Sequence, residues 1–80
     1  MEIRLTYHAQ LRMEQRVVSR PQIERVIEDP ERVALHPRRV IYDGIIDSRT
    51  LRVVTTRESG VELVITVWWI EDQGSNVRAV

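Results

Sequence analysis

Residues 40–70 read Val40-Ile-Tyr-Asp-Gly-Ile-Ile46, Asp47-Ser48, Arg49-Thr-Leu-Arg-Val-Val-Thr-Thr-Arg-Glu58, Ser59-Gly60, Val61-Glu-Leu-Val-Ile-Thr-Val-Trp-Trp-Ile70. β-Branched and aromatic residues dominate the three longer runs, which predicts strands over Val40–Ile46, Leu51–Arg57 and Val61–Ile70. Ser59-Gly60 suits a two-residue hairpin turn. Asp43-Gly44 is another turn dipeptide, but a turn there would leave only short strands. Asp47-Ser48 is therefore the expected turn, and Gly44 becomes a bulge or a point of close backbone approach. The fold is decided here: an antiparallel β-meander carries most of the core.

These turns imply a register. Tyr42 faces Val53 and Asp43 faces Arg52 across the first hairpin; Arg57 faces Glu62, Val54 faces Ile65 and Leu51 faces Trp68 across the second. Opposite charges meet twice, which favours this pairing. It puts Val54, Leu63, Ile65 and Val67 on one face and Tyr42, Leu51, Val53, Val64 and Trp68 on the other. The first set is expected to bury against the helices. The second apolar face is then left for a partner or another copy of the chain. Trp68 and Trp69, being adjacent, must point to opposite faces.

Ahead of the meander, Glu2–Leu5 alternates polar and apolar residues, as a short first strand does. Thr6 is placed to cap a helix over Tyr7–Arg16, in which Ala9, Met13 and the following Val17 share a stripe beside Leu11. Ser19-Arg-Pro-Gln22 is a capping box with Pro21 in the first turn, where a missing N–H costs nothing. Ile23, Val26 and Ile27 form the apolar stripe of this second helix, and Asp29-Pro30 ends it. Arg32–Leu35 adds a short strand before His36-Pro37. The predicted class is α+β: a short first strand and two N-terminal helices packed on an antiparallel meander. Residues 1–70 form one domain, and 71–80, polar and without periodicity, read as a flexible tail.

Eighty residues support a single small core. A chain of this size buries only about 60% of the surface exposed when unfolded. Cysteine is absent, so disulfides and thiolate metal sites cannot supplement that core, and oligomerisation is expected. No signal peptide is recognisable, and no apolar run approaches the roughly 20 residues of a membrane span. A cytoplasmic protein with no membrane partner is expected. The 12 basic residues balance the 12 acidic ones, which argues against a strongly basic nucleic-acid footprint. Every one of those basic residues is arginine. Arginine suits phosphate and carboxylate recognition, although genomic composition or heat stability also favours it.

The run Tyr7-His8-Ala9-x-x-Arg12-Met13-x-x-Arg16, then Ser19-x-x-x-Ile23, Asp29-Pro30-Glu31-Arg32-Val33, Ile41-Tyr42-Asp43-Gly44 and Leu51-Arg52-Val53-Val54, resembles a widespread family of small bacterial proteins of unknown function. The resemblance spans residues 6 to about 70. The strand–helix–helix–meander order is in turn similar to the RelE/ParE superfamily and to BrnT, toxins of type II toxin–antitoxin modules. That resemblance implies a toxin that cuts mRNA or poisons gyrase, with an antitoxin as partner and RNA or the ribosome as target. A C-terminal helix and positive net charge, common in such toxins, are missing here.

His8, Arg12 and Arg16 share one helical face. Cleavage of RNA by 2′-hydroxyl attack needs a proton acceptor and cations for the charge developing on phosphorus, and these three residues supply both. The alternative is that His8 packs or caps while the arginines pair with acids. Arg52, with Tyr42 or Trp68, has the chemistry to grip a phosphate beside a stacked base. Its alternative is a cross-strand Arg52–Asp43 ion pair among core aromatics. Catalytic candidates are thus His8, Arg12, Arg16 and Arg52, and RNA- or partner-binding candidates are Tyr42 and Trp68. Two histidines without a paired carboxylate motif imply no metal, and no glycine-rich phosphate loop implies no cofactor. Three functions stay open: a metal-independent RNA endonuclease, a non-enzymatic homodimeric or partner-binding module, and an inhibitor of a protein target.

Overall fold

A computed structural model describes residues 2–70, so the expected tail lies outside the described residues. The elements are β1 (Glu2–Leu5), α1 (Tyr7–Arg16), α2 (Arg20–Glu28), β2 (Arg32–Leu35), β3 (Val40–Ile46), β4 (Arg49–Glu58) and β5 (Val61–Ile70). The class is α+β, as the sequence implies. Among the described residues no helix is long and apolar enough to cross a membrane.

Local chemistry sets the helix boundaries. The Thr6 hydroxyl accepts the Ala9 N–H at 3.0 Å, satisfying one of the orphan donors of α1. Thr6 also donates its own N–H to the Val64 carbonyl at 3.1 Å, fastening the helix start to β5. At α2 both halves of the capping box form: Ser19 Oγ accepts from Gln22 N, and Gln22 Oε1 accepts from Ser19 N. Val17 closes α1 in the left-handed region at φ 55°, an unusual place for a β-branched residue.

The sheet has the order β1-β5-β4-β3-β2. Its last four strands are the antiparallel meander, but β1 runs parallel to β5, so the complete sheet is mixed. The chain starts beside β5, crosses one face through α1 and α2, and returns strand by strand from the far edge. α1 packs on β5 and β1, and α2 on β3 and β4. The helices stop short of β2, whose Val33 and Leu35 stay exposed. Asp47-Ser48 and Ser59-Gly60 form the two hairpin turns, with positive φ at all four residues.

The first hairpin has the expected register, with Tyr42 opposite Val53 and Asp43 opposite Arg52. The second begins as expected with Arg57 opposite Glu62 and then shifts. Thr55 pairs with Val64 but Val54 pairs with Thr66, so Ile65 is an extra residue on β5. Val54 therefore does not face Ile65, and Leu51 faces Trp69 rather than Trp68.

The helices cover the face opposite to the one expected, and the bulge exchanges Val67 and Trp68 between the two sets. Tyr42, Leu51, Val53 and Val64 lie beneath the helices, joined by Ala9, Val18, Ile23, Val26 and Val67 in one core. Of the residues expected there, Val67 is in place, whereas Leu63 and Ile65 are only half-buried and share the other face with Val54 and Trp68. The uncovered face is thus largely the set expected beneath the helices, with Trp68 in place of Val67, and the set expected to be surplus forms the core. Trp69 packs on the core, and Trp68 points the opposite way.

Gly44 fixes which face α2 covers. A Cβ at this position would come within 3.0–3.2 Å of Val26, including its Cα, so the close approach expected at this glycine is the one found. Gly44→Ala is expected to destabilise the fold by about 1–3 kcal/mol, the usual range for overpacking. Urea unfolding would measure it. The penalty should shrink in a Val26→Ala background, where part of the obstruction is gone.

Candidate functional site

Helix α1 presents its motif residues along one flank. His8 is exposed. One turn later Arg12 is half-buried and donates through Nη1 to Gln15 Oε1 at 2.6 Å. A further turn on, Arg16 reaches down to the sheet and donates to the Val67 carbonyl at 3.3 Å. Its own carbonyl accepts the indole N–H of Trp69 at 2.8 Å, which ties the last turn of α1 to β5. The Trp69 ring also carries the guanidinium of Arg49, 3.9 Å from its centroid.

These arginines differ from others in the chain. Arg4, Arg20, Arg52 and Arg57 each pair with a carboxylate: Glu2, Glu24, Asp43 and Glu62. Among the described residues, Arg12, Arg16 and Arg49 have no carboxylate within ion-pair distance, and neither have Arg25, Arg32, Arg38 and Arg39. The two α1 arginines bond neutral oxygens, so no ion pair within reach compensates them.

The remaining sequence candidates lie elsewhere. Arg52 makes two bonds to Asp43, each 2.8 Å, and sits 5.8 Å from the Trp68 ring centroid on the sheet face away from the helices. Of the two alternatives for Arg52, the ion pair is the arrangement found. The sheet therefore separates Arg52 and Trp68 from His8, Arg12 and Arg16. Tyr42 is 4% exposed and lies beneath the helices, so its expected place beside Trp68 is corrected: the two aromatics are on opposite faces.

Tyr42 belongs to a buried polar network. Glu62, fully buried, accepts from the Tyr42 hydroxyl at 2.7 Å, from the Thr55 hydroxyl at 2.5 Å, and from Arg57 Nε at 2.8 Å. Arg57 also donates to the Tyr42 oxygen at 3.1 Å. Burial alone would raise the Glu62 pKa, but bonds from Thr55, Tyr42 and Arg57 outweigh it and hold the carboxyl below its usual range. Burial first, and then the bond to Glu62, push the Tyr42 phenol upward. With its carboxylate committed to three internal donors, Glu62 serves the fold.

Sequence reasoning placed Glu62 opposite Arg57 but not in the interior, and it missed Arg49 and Trp69 as neighbours of α1. Arg49 shares strand parity with Leu51 and Val53, a signal that was present. The inward position of Trp69 follows from the bulge, whereas Glu62 precedes the bulge and shares the parity of Val64, on the face the helices were not expected to cover. Among the described residues, no cluster of three His, Asp or Glu side chains is arranged to hold a metal ion.

A family model described as a domain of unknown function, DUF4258, matches residues 5–69. The chain belongs to this family. No curated protein and no solved structure matches it. The matched segment of this DUF4258 chain begins at the end of β1 and closes within β5, so it contains both helices and the whole meander save its last residue.

The pH dependence follows from Glu62. A carboxyl whose pKa is lower folded than unfolded contributes stability above the unfolded value, and that contribution is lost as pH falls through the folded value. Glu62→Gln should therefore cost about 1.5–3 kcal/mol at neutral pH, the range for hydrogen bonds to a charged group. It should also flatten the fall in stability below the ordinary glutamate range. Thermal midpoints of both proteins from pH 7 downward would test this, and parallel curves would refute it.

Proposed function

We propose that this DUF4258 chain is a toxin-like, RNA-cleaving protein of the cytoplasm, working without a metal ion through His8, Arg12 and Arg16 on α1. One observation carries the reading. On the flank that holds an exposed histidine, both arginines lack a carboxylate partner among the described residues, while Arg52 and Arg57 are neutralised by partners of their own. An uncompensated pair of guanidinium groups one turn apart is suited to an oxyanion. The strand–helix–helix–meander order, which is similar to that of RelE/ParE and BrnT toxins, gives further support, with an antitoxin protein as the corresponding partner.

The chemistry follows from the residue types. The 2′-oxygen of a ribose bonds to the adjacent phosphorus, its proton passes to His8, and the bond to the 5′-oxygen breaks. Water protonates the departing oxygen, and a 2′,3′-cyclic phosphate remains. Arg12 and Arg16 stabilise the charge that grows on the phosphoryl oxygens. Arg52, behind the sheet and bonded to Asp43, has no part in this step. Induced expression followed by mapping of RNA 5′ ends should reveal new cleavage sites. His8→Ala should reduce cleavage by roughly 10²–10⁴-fold, the usual share of a general acid–base group. Undiminished cleavage with a folded variant would remove His8 from the mechanism.

A second reading rests on a different observation. The sheet face away from the helices carries Ile41, Val54, Leu63, Ile65, Trp68 and Ile70, and no described helix packs over it. This favours a non-enzymatic module that pairs with a second copy of itself. Sedimentation should then give a dimer that Leu63→Glu returns to a monomer. A monomeric wild type would count against it.

A further inference from the structure

Arg49 opens β4 immediately after the Asp47-Ser48 turn, and its register opposite Ile46 places it on the helix side of the sheet. Its guanidinium carbon sits over Trp69, 3.9 Å from the ring centroid. The same indole donates its N–H to the Arg16 carbonyl at 2.8 Å. Three elements distant in sequence, the last turn of α1, the start of β4 and the end of β5, thus converge on one tryptophan. Stacking uses the face of a guanidinium and leaves its in-plane N–H donors for a ligand. Carbonyls at the C-terminal end of a helix disfavour anions, but the indole N–H already occupies the one at Arg16.

We infer that Arg49, held on Trp69, extends the α1 cluster into a three-arginine site for the backbone of single-stranded RNA, Arg12 and Arg16 meeting one phosphate and Arg49 its neighbour. This rests on the RNA reading given above and adds to it a residue and a ligand length. A point anion needs one guanidinium fork. Cations on separate elements, spaced by an intervening aromatic, suit a chain of phosphates instead. The face-on partner of Trp69 is the arginine, so this site reads backbone charge and not base identity.

The test is fluorescence anisotropy of a labelled, uncleavable 2′-O-methyl oligonucleotide titrated with the full chain from 50 to 200 mM salt. Each phosphate neutralised on a single strand contributes about 0.7 to the slope of log K against log salt. Arg49→Gln should weaken binding about tenfold at the low-salt end and lower that slope by about 0.7. Arg49→Lys should restore the slope, because the slope counts charge. Arg52→Gln, on the opposite face, should leave the slope as it is. If Arg12→Ala weakens binding and Arg49→Gln does not, the extension to Arg49 is wrong and the α1 reading stands. If the wild-type protein binds no oligonucleotide at 50 mM salt, both fall.

Discussion

The single extra residue at Ile65 in β5 is the constraint on which the arrangement of this small domain depends. A ten-residue strand with strict alternation would send Glu62, Val64, Thr66 and Trp68 to one face and Leu63, Ile65, Val67 and Trp69 to the other. The bulge joins the better half of each set. Val64 points inward before it, and Val67 and Trp69 point inward after it. Its position is not arbitrary in the fold. Thr6, the cap of α1, bonds through its N–H to Val64 and through its hydroxyl, at 3.4 Å, to the Ile65 carbonyl. The irregularity in β5 thus lies where β1 ends and the helical layer begins. Thr6, the residue that caps α1, bonds two successive carbonyls of β5 at the bulge.

A buried carboxylate is the consequence. Turning Val64 inward turns Glu62 inward as well, two residues before it on the same parity. An isolated ionised carboxylate there would be prohibitively costly. Tyr42, Thr55 and Arg57 offset that cost, and each comes from the strand and parity needed to reach it. The four residues behave as one unit, because removing any donor leaves a charged acceptor short in a place that water does not reach. Tyr42 is consequently explained by the core. An aromatic beside a basic residue in a strand motif suggests a ligand, yet here its hydroxyl is an internal bond donor.

Much of this was legible in the sequence. The helix boundaries followed from Thr6, the Ser19–Gln22 box and Asp29-Pro30, and both hairpin turns followed from short polar dipeptides with left-handed tolerance. These are local signals, decided within a few residues by backbone geometry and capping. The faces after Ile65 were not legible, because a bulge is a tertiary event that no dipeptide announces, and the helices cover the side opposite to the expected one. One clue did bear on them. Gly44 reads as a bulge or a point of close approach, and it shares parity with Tyr42 and pairs with Leu51, so a helix approaching it lies on their side. The parallel pairing of β1 with β5 joins residues about 60 positions apart and left no local mark. Within the candidate site the α1 motif could be read from helical spacing, whereas Arg49 and Trp69 reach it only through the completed sheet.

Zero net charge loses its force against an anion site once the partners of the arginines are traced. Composition treats all charges alike, but the fold does not. Arg52 and Arg57 neutralise Asp43 and Glu62, which are themselves buried or nearly so, and Arg4 and Arg20 are matched on the surface by Glu2 and Glu24. Those pairs are electrically quiet beyond a short distance, especially at physiological ionic strength, where screening acts within about 8 Å. What a ligand meets is the local remainder. Around the last turn of α1 that remainder is positive, since Arg12 and Arg16 spend their hydrogen bonds on neutral oxygens and Arg49 spends its face on an indole. The pairing of each arginine, more than their number, therefore sets the local charge in this chain. In a protein of balanced composition, the end of α1 thus carries arginines without an ion-pair partner, with Glu14 between them in the chain.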